Sequence, residues 1–118
     1  MTEQEKKQRL KEQQKRYSLT LRGKYKDYKY HSKQRGIDFN ITQEEFQTFW
    51  KQDCSYCGDK IETIGLDRIN SRLGYTIDNL VPCCTSCNYM KLSDDVDVWF
   101  SKMKKIIFNI ETKSKINA

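Results

Sequence analysis

The sequence is poor in the features that would make it something else. It contains one proline, five glycines and one histidine. No Pro- or Gly-rich linker and no internal repeat interrupts it, so 118 residues make one small domain. No apolar run approaches a membrane span; the densest is Ile106-Ile107-Phe108. The N-terminus is polar and charged, unlike a secretory signal, so the protein is expected to stay inside a cell. Five cysteines in that compartment do not suggest a disulfide framework. The lone histidine, His31, lies on a basic stretch well before the core and reads as a partly buried or phosphate-facing side chain.

What remains is charge and a modest apolar fraction. Hydrophobic residues are 36% and charged residues 32%. A chain this short buries limited surface, and a metal staple is then useful. Net charge is +6, unevenly spread. Residues 1–35 hold twelve Lys or Arg against four acids, while 36–118 hold ten against twelve. A basic arm on a nearly neutral domain points to a polyanion, most often nucleic acid; the plainer reading is a solvated charged helix.

Residues 3–16 are strong helix formers with Leu10 as the only apolar side chain, so they form an exposed or frayed helix. From Tyr17 to Arg35, Tyr17, Leu21, Tyr25, Tyr28 and His31 recur at threes and fours, which predicts an amphipathic helix ending at Gly36. Ile37–Ile41 alternates as a short strand does. Thr42 and Glu45 fit a capping box, with Phe46, Phe49 and Trp50 facing the core. Leu66–Ile69 and Tyr75–Val81 read as strands around a turn at 70–74, the second interrupted by Asp78-Asn79. A short helix is expected over Asn88–Leu92. A last helix follows Ser93, burying Val96, Trp99, Phe100, Met103, Ile106, Ile107 and Ile110, and 113–118 is expected to be a loose tail. The expected divisions are thus an arm at 1–35, a zinc domain with its C-terminal helix at 36–112, and that tail.

Cys54-x-x-Cys57 and Cys84-x-x-Cys87 are two thiolate pairs. Each such turn places two sulfurs on one zinc, and four ligands close the site, which makes it structural rather than catalytic. Cys83 competes through a CxxxC spacing to Cys87, but Cys84 matches the first pair and Cys83 reads as a small buried residue.

Between and beyond these pairs stand Cys54-x-Tyr-Cys57-Gly58, Asp67, Asn79-Leu80 and Cys84-x-x-Cys87-Asn88-x-x-Lys91, after a lead-in Lys33-Gln-Arg-Gly-Ile-Asp-Phe-Asn-Ile-Thr42. In order and spacing they resemble the HNH endonucleases, a ββα-metal family, over roughly residues 30–92, and in particular its small phage- and virus-like members. The resemblance implies an α+β fold: a zinc-stapled ββα-metal core with flanking N- and C-terminal helices. It implies Asp67 and Asn88 as ligands of a catalytic Mg²⁺ or Mn²⁺, Asn79 as a brace of the active-site loop, and Lys91 on a phosphate oxygen. The reaction implied is metal-dependent cleavage or nicking of double-stranded DNA. One active site cuts one strand, so a double-strand cut requires a homodimer or two visits.

One position departs from the family. Where it has the histidine that activates water, this chain has Arg68. Arginine does not accept a proton at neutral pH. Either Tyr75 or Tyr89 takes the role, with Arg68 stabilising the phenolate, or metal-bound water needs no side-chain base, or the domain binds DNA without cutting. That last reading makes it a zinc-stabilised accessory module; a weaker one is a protein-interaction zinc domain. Lys24, Lys26, Lys29, Lys33, Arg35 and Arg72 are the candidate phosphate contacts. No residue suggests base readout, and no membrane partner is expected.

Overall fold

The computed structural model describes residues 1–116, in which five helices surround a two-stranded antiparallel sheet. Helix α1 (Glu3–Ser18) starts at Thr2, whose hydroxyl accepts the Glu5 N–H at 3.1 Å, and it buries no side chain. Helix α2 (Leu21–Gln34) starts afresh at Thr20. The single helix expected from Tyr17 is therefore broken at Leu19-Thr20. The cause is local: the Thr20 hydroxyl accepts the Gly23 N–H at 3.1 Å and donates back to the Tyr17 carbonyl at 2.6 Å. Such a side chain competes with the helix ladder and begins a new helix instead.

Helix α2 is part of the core. The Tyr25 hydroxyl donates to the Ile41 carbonyl at 2.7 Å, and the Leu66 N–H donates to the Tyr28 oxygen at 3.1 Å. Burial pushes Tyr28 up to about 12, partly opposed by that Leu66 N–H, so the phenol stays neutral. Only α1 stands off as an arm; the basic segment 1–35 is half arm and half core. Arg35 and Gly36 close α2: the Ile37 N–H reaches the Ser32 carbonyl at 2.8 Å and the Gly36 N–H reaches Lys33 at 3.1 Å, with Gly36 at φ +68°.

The strand expected over Ile37–Ile41 shrinks to one parallel bridge, Phe39 to Tyr75. Helix α3 (Gln43–Gln47) has the full capping box of Thr42 and Glu45. Strand β1 (Leu66–Arg68) pairs with β2 (Leu80–Pro82), Asp67 opposite Val81. The second strand is shorter than expected because Ile77–Asn79 coils into one 3-10 turn. Helix α4 (Thr85–Lys91) begins three residues before the expected Asn88, since the Cys84 sulfur accepts the Cys87 N–H at 3.4 Å and caps it.

Two apolar clusters result. Ile41, Phe46, Phe49, Ile64, Leu66, Tyr75 and Leu80 form one, and Cys54, Ile61, Cys83, Cys87 and Trp99 the other. They meet where the Cys83 N–H donates to the Gly65 carbonyl at 2.9 Å. A Cβ on Gly65 would lie 2.0 Å from the Cys83 carbonyl oxygen, a backbone atom that cannot swing aside. Gly65→Ala is therefore expected to cost about 1–3 kcal/mol, the usual range for overpacking, read as a lower urea midpoint at unchanged slope.

Helix α5 (Val96–Ile116) corrects two expectations. Lys113–Ile116 are helical rather than a tail, and residues 117–118 lie outside the described residues. Its apolar stripe is only half used. Trp99 is buried and Met103 packs beside it, but Phe100 is 39% exposed, Ile106 46%, Ile107 55% and Ile110 56%. The zinc knuckle presents one aromatic, Tyr56, against Trp99 and Phe100, and the helix runs on past it.

Candidate active site and zinc centre

The sulfurs of Cys54, Cys57, Cys84 and Cys87 all lie within 4.8 Å of one another. The Cys57–Cys84 separation is 3.7 Å. Four thiolates around zinc at about 2.3 Å stand about 3.8 Å apart along each edge of the tetrahedron, so these residues fit the ion. Cys83 is outside the cluster, 1% exposed, its thiol pointing to the Cys84 carbonyl at 3.3 Å. The choice of Cys84 over Cys83 is thereby decided. Gly58, at φ +81°, turns the first knuckle, and its N–H reaches the Cys54 carbonyl at 3.0 Å. Burial raises the Cys54 thiol, but the backbone donors of Cys57, Cys84 and Tyr56 outweigh it and bring it down to about 6. The first knuckle thus favours a thiolate at Cys54, while burial pushes the Cys87 thiol up.

The strand pair and α4 carry the second site. Asp67, Arg68, Ser71, Tyr75, Asn88 and Tyr89 line one cleft of about 500 Å³, with Arg35 of α2 on its rim. An adjoining cleft shares Arg35, Leu66, Tyr75 and Asn88 with it and continues along α2 past His31 to Lys24. The expected ligands Asp67 and Asn88 therefore line the same cleft with Arg35, and another expected phosphate contact, Lys24, lines the adjoining one. Lys29, Lys33 and Arg72 are exposed elsewhere, and Lys26 stands 5.8 Å over the Tyr17 ring.

Asn79 is buried and braces the loop between the strands. Its amide donates to the carbonyls of Asn70 at 3.1 Å and Gly74 at 2.9 Å, and its oxygen accepts the Asn70 N–H at 2.9 Å. Arg68 is tied into the same loop: one guanidinium nitrogen donates to the carbonyls of Ser71 at 2.9 Å and Leu73 at 3.0 Å. The guanidinium lies 5.5 Å from the centre of the Tyr75 ring. Tyr75 is 8% exposed, whereas Tyr89 is 75% exposed.

Lys91 is not where the resemblance led. Its side chain is wholly buried, and its ammonium meets the Asp67 carboxylate at 3.1 Å and 3.3 Å. Helix α4 points its last turn inward, so Lys91 neutralises Asp67 from below and does not line the cleft. The second partner of Asp67 was missed altogether: the Tyr56 hydroxyl donates to it at 2.6 Å. Burial first, and then this bond to a carboxylate, push the Tyr56 phenol well above its ordinary range. The sequence signal was there, since Tyr56 sits between the paired cysteines, but nothing in it says which way the ring turns.

The two strands, the following helix and the four-cysteine cluster define an HNH-type ββα fold. Among solved structures the chain is similar to the rare-cutting HNH restriction endonuclease PacI, with a TM-score of 0.58 over 76% of this chain and 78% of that one, at 19% identity. In sequence it is 36% identical over 86 residues to "Uncharacterized protein R423" of Acanthamoeba polyphaga mimivirus, a virus. The match takes in 71% of this chain and only 16% of that much longer protein. No protein-family model matches the chain. Among the described residues no helix is long and apolar enough to cross a membrane.

Proposed function

We propose that the chain is a metal-dependent DNA endonuclease or nickase. The observation that carries this is the cleft lined by Asp67, Arg68, Asn88, Tyr89 and Arg35, with an adjoining cleft that leads from Arg35 and Asn88 to Lys24. A carboxylate and an amide oxygen suit Mg²⁺ or Mn²⁺, which keep waters for a phosphate to displace. Asp67 and Asn88 would hold that ion, and when bound it supplies charge stabilisation to the scissile phosphate. Lys24 and Arg35 hold the backbone of double-stranded DNA by charge, without reading sequence. Asn79 and Arg68 keep the loop rigid. Tyr89, being exposed, is the more accessible of the two tyrosines to a reacting phosphate; Tyr75 walls the cleft beneath Arg68. A double-strand cut requires a second copy or a second visit.

One observation favours the non-cleaving alternative. Both carboxylate oxygens of Asp67 already have partners, and the residue in place of the family's base is bound to carbonyls. Plasmid nicking with Mg²⁺ or Mn²⁺ separates the two. The wild type is expected to nick, Asn88→Ala to lose at least about 100-fold, and Tyr89→Phe to lose about 10²–10⁴-fold if it moves the proton. Salt-sensitive binding with no nicking under either metal is the result that supports the accessory module instead.

A further inference from the structure

Tyr56 belongs to the zinc knuckle, yet its hydroxyl is committed to the other site. It is bracketed by Cys54 and Cys57, two members of the four-sulfur cluster, so a zinc ion held there would fix the backbone on either side of it. Its ring stands edge-on to Trp99 at 5.0 Å and to Phe100 at 6.1 Å, which leaves the ring little freedom. From that mount the hydroxyl reaches Asp67 Oδ2 at 2.6 Å. Lys91 Nζ lies 3.1 Å from the same oxygen and 3.3 Å from Oδ1. A carboxylate has about four acceptor sites on its two oxygens. Oδ2 is doubly engaged and Oδ1 carries one long contact, so Oδ1 is the oxygen with capacity left for a ligand in the cleft.

We infer that Tyr56 is a positioning residue: the zinc knuckle, through the Tyr56 hydroxyl, sets the rotation of the Asp67 carboxylate and so the affinity of the cleft for a divalent cation. The inference rests on the reading of Asp67 as a ligand of that cation. Groups that orient a ligand from outside typically change metal affinity 10–100-fold. Zinc then has a second consequence beyond folding. Distortion of the knuckle is transmitted to Asp67 across one side chain, beside the backbone link from the Ser55 N–H to the Pro82 carbonyl of β2 at 2.9 Å.

The test is Mn²⁺ binding to the zinc-loaded protein, followed by electron paramagnetic resonance, with Tyr56→Phe and Asp67→Ala. Tyr56→Phe keeps the ring against Trp99 and removes only the hydroxyl. The expected result is Mn²⁺ binding that Asp67→Ala abolishes and Tyr56→Phe weakens about tenfold or more, with zinc content unchanged. Phe100→Leu removes a ring contact but leaves the hydroxyl, and should bind Mn²⁺ as the wild type does. Wild-type affinity in Tyr56→Phe, beside loss in Asp67→Ala, overturns the role of Tyr56 and leaves the metal site standing. Binding that survives Asp67→Ala, or no binding by the wild type, overturns both. A second measurement needs no variant: Tyr56 ring resonances should shift together with those of Asn88 on titration with Mg²⁺, and a static Tyr56 signal beside a moving Asn88 signal counts against the coupling.

Discussion

Stripped of zinc by a chelator, the domain from Gly36 onward is expected to lose its cooperative melt. The reason is that the four-cysteine cluster stands where a larger apolar core would otherwise be needed. Two of the four cysteines, Cys54 and Cys87, are members of the second apolar cluster, which is otherwise Ile61, Cys83 and Trp99. Three apolar residues and their partly buried neighbours cannot offset the ordering of a loop from Lys51 to Gly65 that has no strand or helix of its own. Structural zinc contributes about 10–16 kcal/mol in small fingers at neutral pH, comparable to the whole stability of a typical domain. The same strength makes the loss all-or-none, because Asp67 and α4 follow the cysteines that carry them. Circular dichroism during chelation should show the far-ultraviolet helix signal falling less than the near-ultraviolet signal of Trp99 and Tyr56, because α1 buries no side chain in the core. A sharp melt that persists without zinc would refute the role of the cluster.

Lys91→Met is expected to destabilise the fold, because it strands a buried carboxylate. The wild-type pair is an ammonium with no exposure against a carboxylate with 6%. Replacing both partners of such a pair by apolar residues is often harmless, but removing one leaves a buried charge without compensation. Met fills much of the lysine volume, so little of the loss is packing. A destabilisation of about 3 kcal/mol is expected, appearing in urea titrations as a lower midpoint. Tyr56 and the cleft solvent keep it from being larger. The paired variant Lys91→Met with Asp67→Leu should recover most of the loss while abolishing Mn²⁺ binding. Equal stability of Lys91→Met and the wild type would mean that the ammonium is solvated and that Lys91 is available to phosphate after all.

The contrast between these residues shows what can be read from a chain. Lys91 looks like a surface lysine because charge is a property of the residue, while burial belongs to the helix that carries it. The capping residue Cys84 starts α4 at Thr85, and that start sets which side of the last turn faces Asp67. The same holds for Ile106, Ile107 and Ile110. Their spacing describes a face, but whether anything lies against it depends on how far the zinc domain extends. Tyr25 and Tyr28 were legible as a helix stripe, yet not as hydrogen-bond partners of Ile41 and Leu66, which are distant in sequence.

Local chemistry in the sequence by itself determined the four-cysteine cluster, the capping box at Thr42 and the left-handed turn at Gly36. Each depends on residues close together or on a metal geometry that admits few alternatives. Tertiary structure alone decided that Arg35 and Lys24 line one cleft with Asn88, and that Asp67 lies between Tyr56 and a buried lysine. These are contacts across the fold, set by the angle at which α4 and the knuckle pack on the strand pair, and no spacing along the chain encodes that angle.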